Sequence, residues 1–200
     1  MATVRLTKNE LKKQKDALKR FQRYLPTLQL KKQQLQLVLR QIQQKQTEIE
    51  KQRDELQQAI DQWIAIFSDH QDLPSFIHVK EMKTSVGNIA GIDIPVFDKL
   101  EFEISEYDIF TIPLWVDQAL ETLKKILSLD AELEVLKEQY RLIAEELRVT
   151  SQRVNLFEKI KIPETKENIR SIQIYLGDQQ TAAVVRGKMA KGKVVKGGRQ

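Results

Sequence analysis

The sequence predicts a mainly all-α fold: a long antiparallel coiled-coil hairpin with a small β-hairpin element at its turning point and a disordered basic C-terminal tail. Three observations predict it. An apolar heptad stripe runs from Leu6 to Phe67 without a single glycine, and a second runs from Trp115 to Phe157. The residues between the two stripes carry turn chemistry and short alternating segments instead. Four regions follow: a helix over 6–67, a connecting segment with short strands over 68–111, a helix over 112–186, and a flexible basic tail over 187–200.

The first helix opens at Leu6-Thr7-Lys8-Asn9-Glu10-Leu11, where Thr7 and Glu10 have capping-box spacing and Leu6 and Leu11 occupy the flanking staple positions. Heptad position d is then filled by Phe21, Leu28, Leu35, Ile42, Ile49, Leu56 and Trp63, and position a by Val4, Leu11, Leu18, Leu25, Leu39, Ile60 and Phe67. Lys32, Gln46 and Arg53 interrupt the a series, either as tolerated defects, as a surface where another subunit packs or, the favoured reading, as residues that fix register. Pro26 removes a backbone donor and predicts a kink, since the stripe continues unshifted on both sides. At 1.5 Å per residue such a helix is roughly 90 Å long, longer than a compact domain is wide, so it needs a partner helix.

In the connecting segment, Ile92, Ile94 and Val96 form one alternating run and Leu100, Phe102 and Ile104 another, read as two short strands. Val86-Gly87-Asn88 and Ala90-Gly91 supply turns, and Pro95 confines its strand to an edge. The second helix starts near Thr111-Ile112-Pro113, with proline in the first turn. Its seam includes Leu133, Tyr140, Leu147 and Val154 at a, and Trp115, Leu129, Leu136, Ile143 and Phe157 at d. Pro163 predicts a break, after which Ile169, Ile172 and Leu176 resume the stripe. From Gly187 onward, glycine and basic residues predict disorder in the isolated chain.

Charge is polarised along the chain. Ten basic residues lie between Arg5 and Lys32 against Glu10 and Asp16, and the last fifteen residues add six more with no acid. From Phe67 to Leu114, nine acids face only Lys80, Lys83 and Lys99. Folding into a hairpin therefore makes a rod with a positive end and a negative end, a shape suited to bridging two different partners. The positive end has two readings: release of counterions from a nucleic-acid backbone, or insertion into an acidic protein cavity. Lys8, Lys12, Lys13, Lys19, Arg20, Arg186 and Lys188 are the candidate contacts in the second reading.

Chemistry is sparse. The chain has no cysteine and two histidines, His70 and His78, neither with a second ligand at metal-binding spacing. No phosphate loop, dinucleotide fingerprint or nucleophile elbow is present, so no catalytic site, metal or cofactor is expected. Trp63, Phe67 and Trp115 read as core that closes the coil rather than as a ligand cage. No apolar run approaches the ~20 residues needed to cross a bilayer, and a cytoplasmic protein, peripheral to the membrane at most, is expected.

Three stretches carry a family resemblance. They are the opening Leu6–Leu11, the turn Asn88-Ile89-Ala90-Gly91-Ile92-Asp93-Ile94-Pro95, and Thr150-Ser151-Gln152-Arg153-Val154-Asn155-Leu156-Phe157-Glu158 followed by Ile162-Pro163 and Ile172. Together they resemble the D subunits of V-type and A-type ATP synthases, with Arg153, Val154, Asn155, Glu158 and Pro163 in the most specific part. The segment after Gly177 departs from the family's charged, acid-containing helix. The resemblance implies a non-catalytic central rotor shaft whose termini enter the ring of catalytic and regulatory (A- and B-type) subunits. Its other end, together with the small F subunit of the stalk, would dock on the protein that couples to the membrane rotor. Ion transport would thereby be linked to ATP synthesis or hydrolysis, with no nucleic acid partner. The alternative from another class is a basic coiled coil that binds nucleic acid or serves as a tether.

Overall fold

The computed structural model describes residues 4–67, 76–104 and 115–197. They form a long helical hairpin with a small two-stranded antiparallel sheet. The elements are α1 (Lys8–Phe67), β1 (Ile77–Ile89), β2 (Ile92–Ile104), α2 (Trp115–Asn155), a π-helix (Leu156–Lys161) and α3 (Ile162–Gly197). The chain divides into two compact units, residues 31–149 and residues 1–30 with 150–200.

In the 31–149 unit, α1 and α2 pair through their predicted seams. Leu35, Leu39, Ile42 and Ile49 of α1 are buried with Leu133, Leu136 and Ile143 of α2, while Tyr140 and Leu147 pack partly buried against them. Ion pairs cross between the helices from a base on α1 to an acid on α2, among them Lys31–Glu146 at 2.7 Å, Lys45–Glu132 at 3.9 Å and Arg53–Asp130 at 3.6 Å. Partners descend in α2 as they ascend in α1, which is antiparallel pairing. Each partly exposed pair is worth about 0.2–1 kcal/mol, so apolar burial stabilises the unit and charge selects the register.

The β-hairpin is longer than the alternation predicts. The two runs read as separate strands are one strand, β2, and its partner β1 includes Gly87 and Asn88, which are strand residues and not a turn. The only reversal within the hairpin is Ala90-Gly91. Both residues have positive φ, 53° and 81°, as a two-residue type I′ turn demands. Asn88 pins that turn: its Oδ1 accepts from the Gly91 N–H at 3.1 Å and its Nδ2 donates to Asp93 at 2.7 Å. Register shifts between Val79 and Glu81 and between Lys83 and Thr84 interrupt the ladder. Such bulges change which side chains a strand presents to a face. The hairpin is accordingly covered through Ile94, Ile92 and Ile89 near its turn and through Ile77 and Phe102 at its open end.

In the other unit, Thr7 caps α1 by accepting from the Glu10 N–H at 3.2 Å, but the reciprocal half of the predicted capping box is replaced: Glu10 accepts from Gln14 at 2.9 Å. Helix α1 runs through Pro26 without ending. The break expected at Pro163 is instead a change of helix type. Proline offers no N–H to the carbonyl four residues back, and the preceding turn is wound as a π-helix in which the Ile162 N–H bonds the Phe157 carbonyl five residues back. The rings of Phe21 and Phe157 meet at 5.2 Å, and Thr150, Val154, Thr165 and Ile172 are buried. Contrary to the expected disordered tail, α3 continues to Gly197. Alanine, methionine and lysine favour helix there, and each interior glycine costs about 1 kcal/mol without preventing it.

Candidate functional site

With no catalytic constellation to build, the functional candidates are surfaces. All seven predicted contact residues, Lys8, Lys12, Lys13, Lys19, Arg20, Arg186 and Lys188, are exposed, belong to the same unit, and take part in no ion pair among the described residues. Counted over its whole length, that unit holds 19 basic and 6 acidic residues, whereas the 31–149 unit holds 14 basic and 22 acidic.

The far part of α3 sharpens this surface. Ile172 is fully buried and Leu176 half-buried, but every residue from Gly177 to Lys193 is exposed. Antiparallel pairing explains the transition: the Phe21–Phe157 contact sets Ile172 level with the start of α1, so α3 beyond it has no helix among the described residues to lie on. Exposed among the basic residues are Val184 at 58%, Val185 at 48% and Met189 at 58%. A single helix of this length is marginal in water unless its apolar side chains find a partner. The sequence reading missed this surface, although Val184, Val185 and Met189 at helical spacing signal it.

The residues of the specific motif divide. Val154 is buried, Arg153, Asn155, Glu158 and Pro163 are exposed, and the stretch adjoins the π-helix, whose Leu156 and Ile160 are 40% and 53% exposed. Of the seam residues, Leu35, Ile42, Ile49, Leu133 and Val154 are buried, and Leu28, Leu56, Tyr140 and Leu147 are half-buried. Trp63, Phe67 and Trp115 fall where side chains lie outside the described residues, as does His70; His78 is exposed on β1. Of the three seam interruptions, Arg53 bonds Asp54 and reaches Asp130, which raise its pKa through a hydrogen bond and attraction, while Lys32 and Gln46 are half-buried.

A second apolar stripe on α2 was not anticipated. Val116 and Leu120 are buried, Leu123 and Leu127 partly so, and they lie off the coil seam under Ile77, Phe76 and Phe102 of the hairpin region. Their i, i+4, i+7, i+11 spacing is legible in the sequence once a second covering element is sought. Part of the hairpin's charge is paired within it: Lys83 and Lys99 donate to Glu101 at 2.7 and 2.8 Å and hold its carboxyl down at about 2. Among the described residues no group of acidic or histidine side chains could hold a metal ion, and no helix is long and apolar enough to cross a membrane.

Comparison with known proteins places these surfaces in context. The family profile that describes the D subunit of ATP synthase matches residues 10–192. The V-type ATP synthase D subunit of Borreliella burgdorferi is 50% identical over 196 residues, covering 98% of this chain and 97% of that protein. The proteins of the same name in Chlamydia pneumoniae and Chlamydia muridarum are 33% and 34% identical, covering 96% of this chain and 93% and 96% of theirs.

Proposed function

The chain belongs to the family of ATP synthase D subunits, which stand in the central stalk of the rotary ATPase, and from that premise we propose how its two units divide the work. The basic unit, with the far part of α3, enters the ring of A- and B-type subunits. The acidic unit serves the contacts outside the ring, where the small F subunit and the protein coupling to the membrane rotor are its partners. Nucleotide chemistry belongs to the ring, and this chain contributes stiffness and an asymmetric surface. Turning that surface inside the ring biases each catalytic interface between open and closed states, linking ATP synthesis or hydrolysis to ion movement. The protein is cytoplasmic and peripheral to the membrane through the complex.

The observation that carries this reading is the stretch of α3 from Gly177 to Lys193, exposed on every side, basic, and carrying Val184, Val185 and Met189 with nothing in the described residues to cover them. An apolar-and-basic helix fits an acidic sleeve with an apolar lining, where charge steers entry and apolar contact holds it. The polyanion-binding coil offers no use for those apolar side chains.

The test is to replace Lys12, Lys13, Lys19 and Arg20 together by glutamate and to measure assembly with the ATPase ring across ionic strength. Association at low salt should slow about tenfold or more, with the difference shrinking as salt screens it. Equal association rates at low salt would refute the electrostatic part of the reading.

A further inference from the structure

Between the two helices of the 31–149 unit, two of the charge pairs share one register, while Arg53–Asp130 lies outside it. Lys31 and Lys45 stand two heptads apart on α1, and their partners Glu146 and Glu132 stand two heptads apart on α2, so both pairs occupy one antiparallel register. The heptad midway between them should hold a third pair. It holds Val38 and Gln139.

That gap in the charge pattern is where the β-hairpin sits. Gln139 is 8% exposed, and its Nε2 donates to the Pro95 carbonyl of β2 at 2.5 Å. Ile94, 3% exposed, joins the core of both helices, with Ile89 and Ile92 packed beside it. A cavity of about 150 Å³ between hairpin and helices is lined by Val38, Lys45, Ile89, Val96, Glu132 and Gln139. We propose that the Val38/Gln139 heptad is the seat of the β-hairpin, and that Gln139 is the positioning residue that fixes the hairpin at one angular position on the helix pair.

The chemistry requires this exception. A lysine and a glutamate at 38 and 139 would pair with each other, and the ionised glutamate at 139, an acceptor only, would have no donor for the strand carbonyl. Val38 adds no charge to bury beneath Ile89, and a neutral amide donates to Pro95 without burying an ion. Pro95 itself lacks an N–H, so only its carbonyl is available, which selects a donor over an acceptor at 139. The charged groups facing the seat are Lys45 from α1 and Glu132 from α2, already paired with each other; the hairpin contributes only apolar Ile89, Val96 and Phe97 there. In a turning stalk the consequence is a protrusion held at one azimuth. That consequence rests on the stalk reading, whereas the seat does not.

The test uses hydrogen exchange of residues 86–97 in the isolated full chain, expressed as protection relative to wild type at the same pH between pH 5 and 9. Q139L, which cannot donate, should lose protection about tenfold or more at every pH. Q139E is nearly isosteric and donates only when protonated, so its protection should fall with a single titration as pH rises, a response absent from wild type and from Q139L. V38K/Q139E should restore the missing charge pair, keep helix content by circular dichroism, and release the hairpin. Wild-type protection throughout in Q139L and Q139E, or a hairpin still protected in V38K/Q139E, would overturn the seat. Because no ATPase partner is present, such a failure leaves the stalk reading standing, and a failed ring assembly leaves the seat standing.

Discussion

The two units of this chain build the same object, an antiparallel pair of helices with an apolar seam, and finish it differently. Residues 31–149 roof the outer face of α2 with their own β-hairpin: Val116, Leu120, Val135 and Gln139, none of them on the predicted coil seam, are buried by it or beside it. Residues 1–30 with 150–200 have no such roof among the described residues. Only Thr150, Val154, Thr165 and Ile172 are buried there, and α3 runs on exposed. The difference teaches that a helix pair can either carry its own third element or leave that place for another protein. Here the acidic unit does the first, and the proposed entry into the ring would have the basic unit do the second.

The strongest way to break this comparison is through matched cavities. Ile143→Ala in the roofed unit should destabilise by about 3–5 kcal/mol, because neighbours on three sides prevent collapse of the cavity. Ile172→Ala, at an equally buried site near the end of the paired region, should cost about 2–3 kcal/mol because its largely exposed neighbours can relax into the space. Urea unfolding followed separately by exchange in each unit would read both; equal losses would contradict the distinction.

The roof itself offers a smaller lever. Gly91 at φ 81° admits a β-branched residue only with strain, so Gly91→Val should weaken the hairpin by about 1–2 kcal/mol, whereas Ala90→Gly at φ 53° should strengthen it by about 0.5–1 kcal/mol. Local exchange of β1 and β2 amides is the measurement. In the unroofed unit, Pro163→Ala restores the missing donor. The π-helix should revert to α with a gain of about 1 kcal/mol, visible in the carbonyl chemical shifts of residues 156–161.

The smallest effect is acid. The folded carboxyl of Glu101 is held at about 2 by Lys83 and Lys99, below its unfolded value, so its contribution is present above the unfolded pKa. It is lost as pH falls from about 4.5 towards 2. Hairpin protection should decline through that window in the wild type and show no such step in Glu101→Gln.

Legibility in the sequence followed the same division. The seam positions Leu35, Ile42, Ile49 and Leu133 repeat at heptad spacing because each helix runs continuously beside the other, and a continuous helical partner leaves a periodic trace. Strand β1 left none. Its exposed Lys80, Glu81, Lys83, Thr84 and Ser85 do not alternate, since one strand of a two-stranded roof needs no buried face along its middle. The bulge at Lys83/Thr84 shifts the phase of β2, which made one strand look like two. Pro163 announced an irregularity but not its kind, because π-winding is a property of backbone carbonyls and leaves no side-chain pattern. The exposed end of α3 was obscured by its glycines, whose cost a partner surface can offset.

The most direct test compares hydrogen exchange of Gly177–Lys193 in the isolated chain and in the assembled ATPase. The proposed division of labour predicts rapid exchange alone and at least about a hundredfold slowing in the assembly, with the already protected core around Leu35 and Ile143 unchanged. Exchange of Gly177–Lys193 that stays as fast in the assembled enzyme as in the free chain would contradict it.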